Sequence, residues 1–205
     1  MTLAPQFVGA WQRRSVAIDA GEHSEPARVL WLQAGDAFAD LRIPDDPSAT
    51  PDAFAGITTY DPPALTWHHT LDWNGTFADF DCGVVECNDE EMIERGEFER
   101  EGQLHAYEEI WHRIDPGSAG LVLTAPHAMV VRVGRHCLAM RDRRRAGGAF
   151  DVRHARIGGI EWCDQMLLGD GAELPCPPVV VPSDWVPDSE IALAGAHWRV
   201  AERWG

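Results

Sequence analysis

Two segments at opposite ends of the chain carry the halves of one device. Phe7-Val8-Gly9-Ala10-Trp11 stands near the start, and His197-Trp198-Arg199-Val200-Ala201-Glu202-Arg203-Trp204 stands near the end. A closed antiparallel barrel plugs its base with such parts. A Gly-x-Trp on the first strand lays an indole across the open end, and an Arg on the last strand covers the indole face, worth about 0.5–2 kcal/mol. Closure also removes the unpaired sheet edges that would recruit other chains. The pairing predicts that Trp11 packs against Arg199 or Arg203.

The stretch between agrees with an all-β chain. Residues 65–73 alternate with a period of two, placing Leu65, Trp67, His69, Leu71 and Trp73 on one face and Thr66, His68, Thr70 and Asp72 on the other. Further strands are expected over residues 7–18, 28–33, 37–43, 80–87, 92–100, 104–114, 121–124, 128–133, 137–142, 149–157, 160–168 and 196–204. Gly- and Asp-bearing turns separate many of them. Residues 52–55 read as a short helical turn, and residues 175–187 as a Pro-rich loop, because Pro offers no donor to a sheet ladder. About a dozen short strands without a convincing helix mean a sandwich or barrel. The reading is one antiparallel barrel of ten to twelve strands over residues 1–205. The alternative is two smaller β lobes with a boundary near residues 115–127.

Composition excludes several classes of chemistry. A net charge of −16 leaves no basic face for nucleic acid. The one basic cluster, Arg141-Asp142-Arg143-Arg144-Arg145, reads as a solvated hairpin turn. All 17 basic residues are Arg, the usage of a GC-rich bacterial genome, and the absence of Lys excludes Schiff-base catalysis. The five cysteines form no Cys-x-x-Cys pair, so neither a zinc site nor a redox motif is expected. No segment has the form of a signal peptide or approaches the roughly 20 apolar residues of a membrane span. A cytoplasmic protein with reduced thiols is expected. Phosphate-loop, dinucleotide and Gly-x-Ser-x-Gly motifs are missing, and the acidic residues from Asp79 to Glu101 lack the spacing of a calcium loop. No metal and no cofactor are expected.

Several segments together resemble a fungal lipocalin-like family named for its interaction with a yeast casein kinase. They are Trp31 with Phe38-Ala39-Asp40-Leu41-Arg42-Ile43, Trp67-His68-His69 through Leu71-Asp72, Glu94-Arg95-Gly96, Tyr107-Glu108-Glu109-Ile110-Trp111, and Met129-Val130-Val131-Arg132-Val133-Gly134. The likeness covers roughly residues 7–140 and stops before the Pro-rich tail. It implies a calycin-type barrel in one or two lobes and implies no reaction. The kinase association does not carry over.

Candidate chemistry centres on strands expected to face the barrel interior. Tyr107, Glu109 and Trp111 share one strand face. A buried Glu109 needs a cationic partner, and Arg42 or Arg132, each inside an apolar run, could supply it or pair with Glu94 or Glu86. Such a cluster serves as an internal ion-pair network, a ligand anchor or a catalytic group. His69, on the Trp67 and Trp73 face, is the lumenal histidine. Arg42, Trp67, His69, Trp73, Glu86, Glu94, Tyr107, Glu109, Trp111 and Arg132 form the expected ligand-binding set. The reading is a barrel that binds a small aromatic or amphipathic molecule in its lumen. Two rivals stand beside it. One is an isomerase, cyclase or hydrolase using His69 with Glu109 or Glu94; the other is a solid-cored protein-interaction module.

Overall fold

The computed structural model describes residues 5–75 and 81–205. Asp79 and Phe80, the latter the expected start of a strand, lie outside the described residues. Eight strands close into an antiparallel barrel: β1 (Gly9–Ile18), β2 (Ala27–Ala34), β3 (Ala37–Pro44), β4 (Asp52–Asp61), β5 (Ala64–Asp72), β6 (Cys82–Cys87), β7 (Glu91–Arg100) and β8 (Gln103–Asp115). Seven more form a second sheet: β9 (Gly120–Ala125), β10 (Ala128–Val133), β11 (His136–Asp142), β12 (Phe150–Gly158), β13 (Glu161–Leu168), β14 (Glu190–Leu193) and β15 (Ala196–Trp204). Its order is β13-β12-β11-β10-β9-β15-β14. The all-β class holds, but the strands expected in one barrel are divided between a barrel of eight and an open sheet of seven. Residues 52–55 begin β4 rather than a helical turn.

Period-two alternation divides the barrel strands between two environments. Trp11, Val29, Trp31, Phe38, Phe54, Leu65, Trp67, Val85, Met92 and Trp111 fill the interior, with Phe7 beneath them. The opposite faces of β2, β3 and β4 present small residues: Ala34, Ala37, Ala39, Ala53 and Ala55. Met129, Val131, Leu138, Met140, Phe150 and Val152 of the second sheet pack against them. Leu30, Leu32 and Leu41 stand among those alanines, so large and small groups on the barrel surface interdigitate with the second sheet.

The Arg-rich segment 141–145 ties those layers together rather than lying solvated. Arg144 donates to the carbonyls of Asp72 and Trp73, each at 2.6 Å, joining the second sheet to β5. Arg141 and Arg143 both reach the fully buried Asp151. Burial pushes that carboxyl up, but hydrogen bonds from Arg143, the Asp170 N–H and Arg141 outweigh it and hold its pKa below the ordinary value.

The Pro-rich segment covers the far face of the second sheet, over Leu121, Leu123, Val130, Ala139 and Trp198. Its carbonyls take donors from side chains. Trp162 donates to Pro177, Arg132 to Pro178, and Arg203 to Pro182 and Trp185. These side-chain donors satisfy carbonyls of the half-buried strap, whose prolyl residues supply no N–H of their own.

Barrel closure follows the expected chemistry with a different partner. Trp11 is fully buried and stacks on Trp31 at 6.0 Å. The guanidinium over its face belongs to Arg113, at 4.2 Å, and neither Arg199 nor Arg203 is involved. Arg113 also donates to the carbonyls of Val8 and Gln6. It stands on β8, the last strand of the barrel, while the end of the chain belongs to the other sheet. Arg199 pairs with Asp188 and Arg203 holds the strap.

Candidate functional site

The barrel interior has an aromatic base and a charged upper layer. Arg13, two residues beyond Trp11 on β1, points inward and pairs with Glu109 of β8 and with Glu25. Glu94 of β7 accepts from the Tyr107 hydroxyl at 2.7 Å and from Trp111 Nε1 at 3.1 Å. Gly83 and Gly96 face each other across β6 and β7 and make room for this pair. A Cβ on Gly83 would lie 2.7 Å from Glu94 Cγ, and one on Gly96 would lie 2.5 Å from the Tyr107 hydroxyl. Burial first, and the charge of Glu109 second, push the Glu94 carboxyl up to about 8, so it is neutral at pH 7. Burial likewise raises Asp40 to about 6 despite its ion pair with Arg42.

His69 sits at the edge of this layer, stacked on Phe54 at 4.3 Å. Its ring nitrogens meet Asp81 at 2.9 Å and Asp72 at 3.1 Å. Burial pushes the imidazole down, but these two contacts outweigh it and hold its pKa above the ordinary value. A β-bulge positions the group. Ala55 pairs with Leu71 while Gly56 pairs with His69, so Thr70 is an extra residue in β5. At Gly56 a Cβ would stand 1.9 Å from the His68 carbonyl oxygen. Beyond the bulge the faces exchange. His69 and Asp72 therefore both reach the interior, while Leu71 and Trp73 turn outward.

The lumen is nearly full. The void among Trp31, Asp40, Arg42, Phe54, Trp67 and Glu94 has a volume of about 10 Å³, room for about one water molecule. Trp31 Nε1 and Glu109 Oε2 are buried there without a hydrogen-bond partner among the described residues. A bound water could reach such groups, whereas an aromatic ligand requires side chains to move.

The residues singled out from the sequence thus separate. Arg42, Trp67, His69, Glu94, Tyr107, Glu109 and Trp111 are brought together in the barrel. Three are elsewhere. Glu86 lies on the outer surface beside Arg95, because β6 turns Val85 inward instead. Trp73 packs outside on Phe150 at 5.6 Å, displaced by the bulge. Arg132 is on the second sheet, over Trp162 and under the strap, on the face away from the barrel. Neither Arg42 nor Arg132 holds a glutamate: Glu109 belongs to Arg13, and Arg42 to Asp40. His69 bonds aspartates, not Glu86, Glu94 or Glu109. Sequence reasoning passed over Arg13, Asp40 and Asp81, although Trp11-x-Arg13 and Phe38-x-Asp40-x-Arg42 carry the inward alternation.

Room for a ligand lies outside the barrel, and one cleft of about 350 Å³ lies beside Ala128, Leu174 and Trp198 of the second sheet. At the margin of the barrel–sheet interface a crevice of about 360 Å³ opens between β1–β3 and β11–β13. Its floor is Leu30, Leu41, Ile43 and Met166, continuous with the core between the layers. His136 and His154 stack in its lining at 6.0 Å and 15°, with Arg28 and Arg156 beside them. His136 is 7% exposed, and its Nδ1 and the His154 Nε2 are buried without a hydrogen-bond partner among the described residues. Burial, then neighbouring positive charge, lowers both imidazoles, His154 to about 4, so both rings are neutral at pH 7.

Comparison with known proteins places this architecture. The family model described as Protein HRI1 matches residues 10–202, including the Pro-rich strap beyond residue 140 where the motif resemblance stopped. Among solved structures, the chain is similar to an uncharacterised protein, YLR301w, from Saccharomyces cerevisiae. The TM-score is 0.75 at 15% sequence identity, covering 96% of this chain and 98% of that one. An uncharacterised protein from Bacteroides eggerthii DSM 20697 aligns with a TM-score of 0.36 at 14% identity, covering 52% of this chain and 98% of that one. No curated protein matches the chain.

Proposed function

The chain belongs to the Protein HRI1 family, and on that premise we propose that it is a binding protein that takes a small amphipathic molecule in the crevice between barrel and second sheet. One observation carries this reading. The crevice offers about 360 Å³ over an apolar floor, against about 10 Å³ inside the barrel. Ligand sites are typically concave, about 300–1,000 Å³, largely apolar, with a few placed polar groups. The crevice has that volume, and half of its lining residues are apolar. The barrel, with its interlocked indoles and internal ion pairs, acts as the rigid wall on which the crevice is built.

The test uses a neutral fluorescent apolar probe, N-phenyl-1-naphthylamine, titrated into the purified full chain. Saturable enhancement at one site is expected. Met166→Trp, which fills the floor, should abolish it while the thermal transition stays cooperative. The absence of saturable binding, or binding unchanged in a folded Met166→Trp variant, overturns the assignment. Native mass spectrometry of freshly purified protein is the companion measurement, because it reports a co-purifying guest without choosing a probe.

A further inference from the structure

We propose that the molecule taken by this crevice is an anion, an amphipathic carboxylate whose head sits between Arg28, Arg156 and the His136–His154 pair and whose apolar body lies along Leu41 and Met166. This rests on the crevice reading and specifies its ligand class. The chain carries a net charge of −16. Arg28 and Arg156 form no ion pair among the described residues, and both border the same crevice. Two unpaired guanidiniums at one concave site reverse the prevailing sign of the protein locally. The guanidinium fork matches a carboxylate bidentately.

The histidines give the second, independent observation. Both rings line the crevice, and His136 Nδ1 and His154 Nε2 are buried without a hydrogen-bond partner among the described residues. His154 meets His136, Arg156 and Arg28; His136 meets Arg156, Arg135 and the single carboxylate Asp115. Cations therefore dominate this environment. A carboxylate placed there relieves the repulsion among the cations and accepts from the guanidinium N–H groups. A cationic guest would meet Arg28, Arg156 and Arg135, and a neutral one would leave the guanidiniums unused.

The experiment is displacement of N-phenyl-1-naphthylamine by decanoate, decanol and decyltrimethylammonium at pH 7. Decanoate should bind about tenfold more tightly than decanol, the scale of one charge-assisted hydrogen bond. The advantage should shrink as salt rises. Arg28→Gln and Arg156→Gln, both at exposed positions, should each erase most of the decanoate preference and leave decanol unchanged. Arg14→Gln, equally exposed and outside the crevice, controls for net charge and should change neither. Equal affinity for decanoate and decanol overturns the anion assignment while the crevice stands. Preference for the ammonium also overturns it. Failure of every probe, N-phenyl-1-naphthylamine included, removes the crevice reading itself.

Discussion

Replacing Glu94 by Gln tests the electrostatics of the barrel interior most directly. Glu94 is 5% exposed, and its carboxyl is raised from an ordinary 4.5 to about 8, by burial first and by Glu109 second. Across that interval the folded protein holds a proton that the unfolded chain has released, so stability falls as pH rises. The contribution of the protonated carboxyl is fully present below pH 4.5 and is lost as pH climbs through about 8. At about 1.4 kcal/mol per pH unit the interval amounts to about 5 kcal/mol. Glutamine is the permanently neutral isostere, so Glu94→Gln should remove this loss. The assay is urea unfolding of both proteins at intervals from pH 5 to 9. The variant should gain on the parent as pH rises, by about 4 kcal/mol between pH 5 and 9, and level off above pH 8. Asp40, raised to about 6, and His154, lowered to about 4, titrate in both proteins, and their effects cancel in the difference. A difference that stays constant within about 1 kcal/mol over this range refutes a neutral Glu94.

Further substitutions probe the barrel. Trp11→Ala should cost about 3–5 kcal/mol, because the indole is fully buried between Trp31 and Arg113. Arg199→Ala should stay within about 0.5 kcal/mol; chemical denaturation that found the two equally damaging would return the plug to the end of the chain. Arg13→Met leaves Glu109 buried without its cation and should cost about 3–5 kcal/mol. Adding Glu109→Gln should restore most of that stability in thermal melts, and an additive double variant would show that the two side chains act independently.

Several features were legible before any coordinates, and each rests on local chemistry. Alternation with a period of two marks strands because successive side chains leave opposite faces of a pleated backbone. It located most strands and put His69 inside and His68 outside. The Gly-x-Trp near the start announced a plugged barrel, and Trp11 is that plug. The tight turns and the Pro-rich strap were readable because Gly and Pro restrict backbone choice one residue at a time.

What the tertiary structure alone decided involves pairing across distance. Which Arg covers Trp11 depends on where the barrel closes, and it closes at β8, leaving β15 to another sheet. No local pattern distinguishes Arg113 from Arg199, since both stand on alternating strands near aromatic residues. The bulge at Gly56 is a property of two strands in register, and it reversed the faces of Asp72 and Trp73 together. Arg132 reads as a lumenal cation from its apolar run, yet a strand between a core and a covering strap is apolar on both faces as well. The crevice is the extreme case: Arg28 and His136 are more than 100 positions apart in the numbering, and only packing the sheet on the barrel joins them. Local propensity specifies the strands, whereas their partners are selected by the burial of faces that meet only in the folded chain.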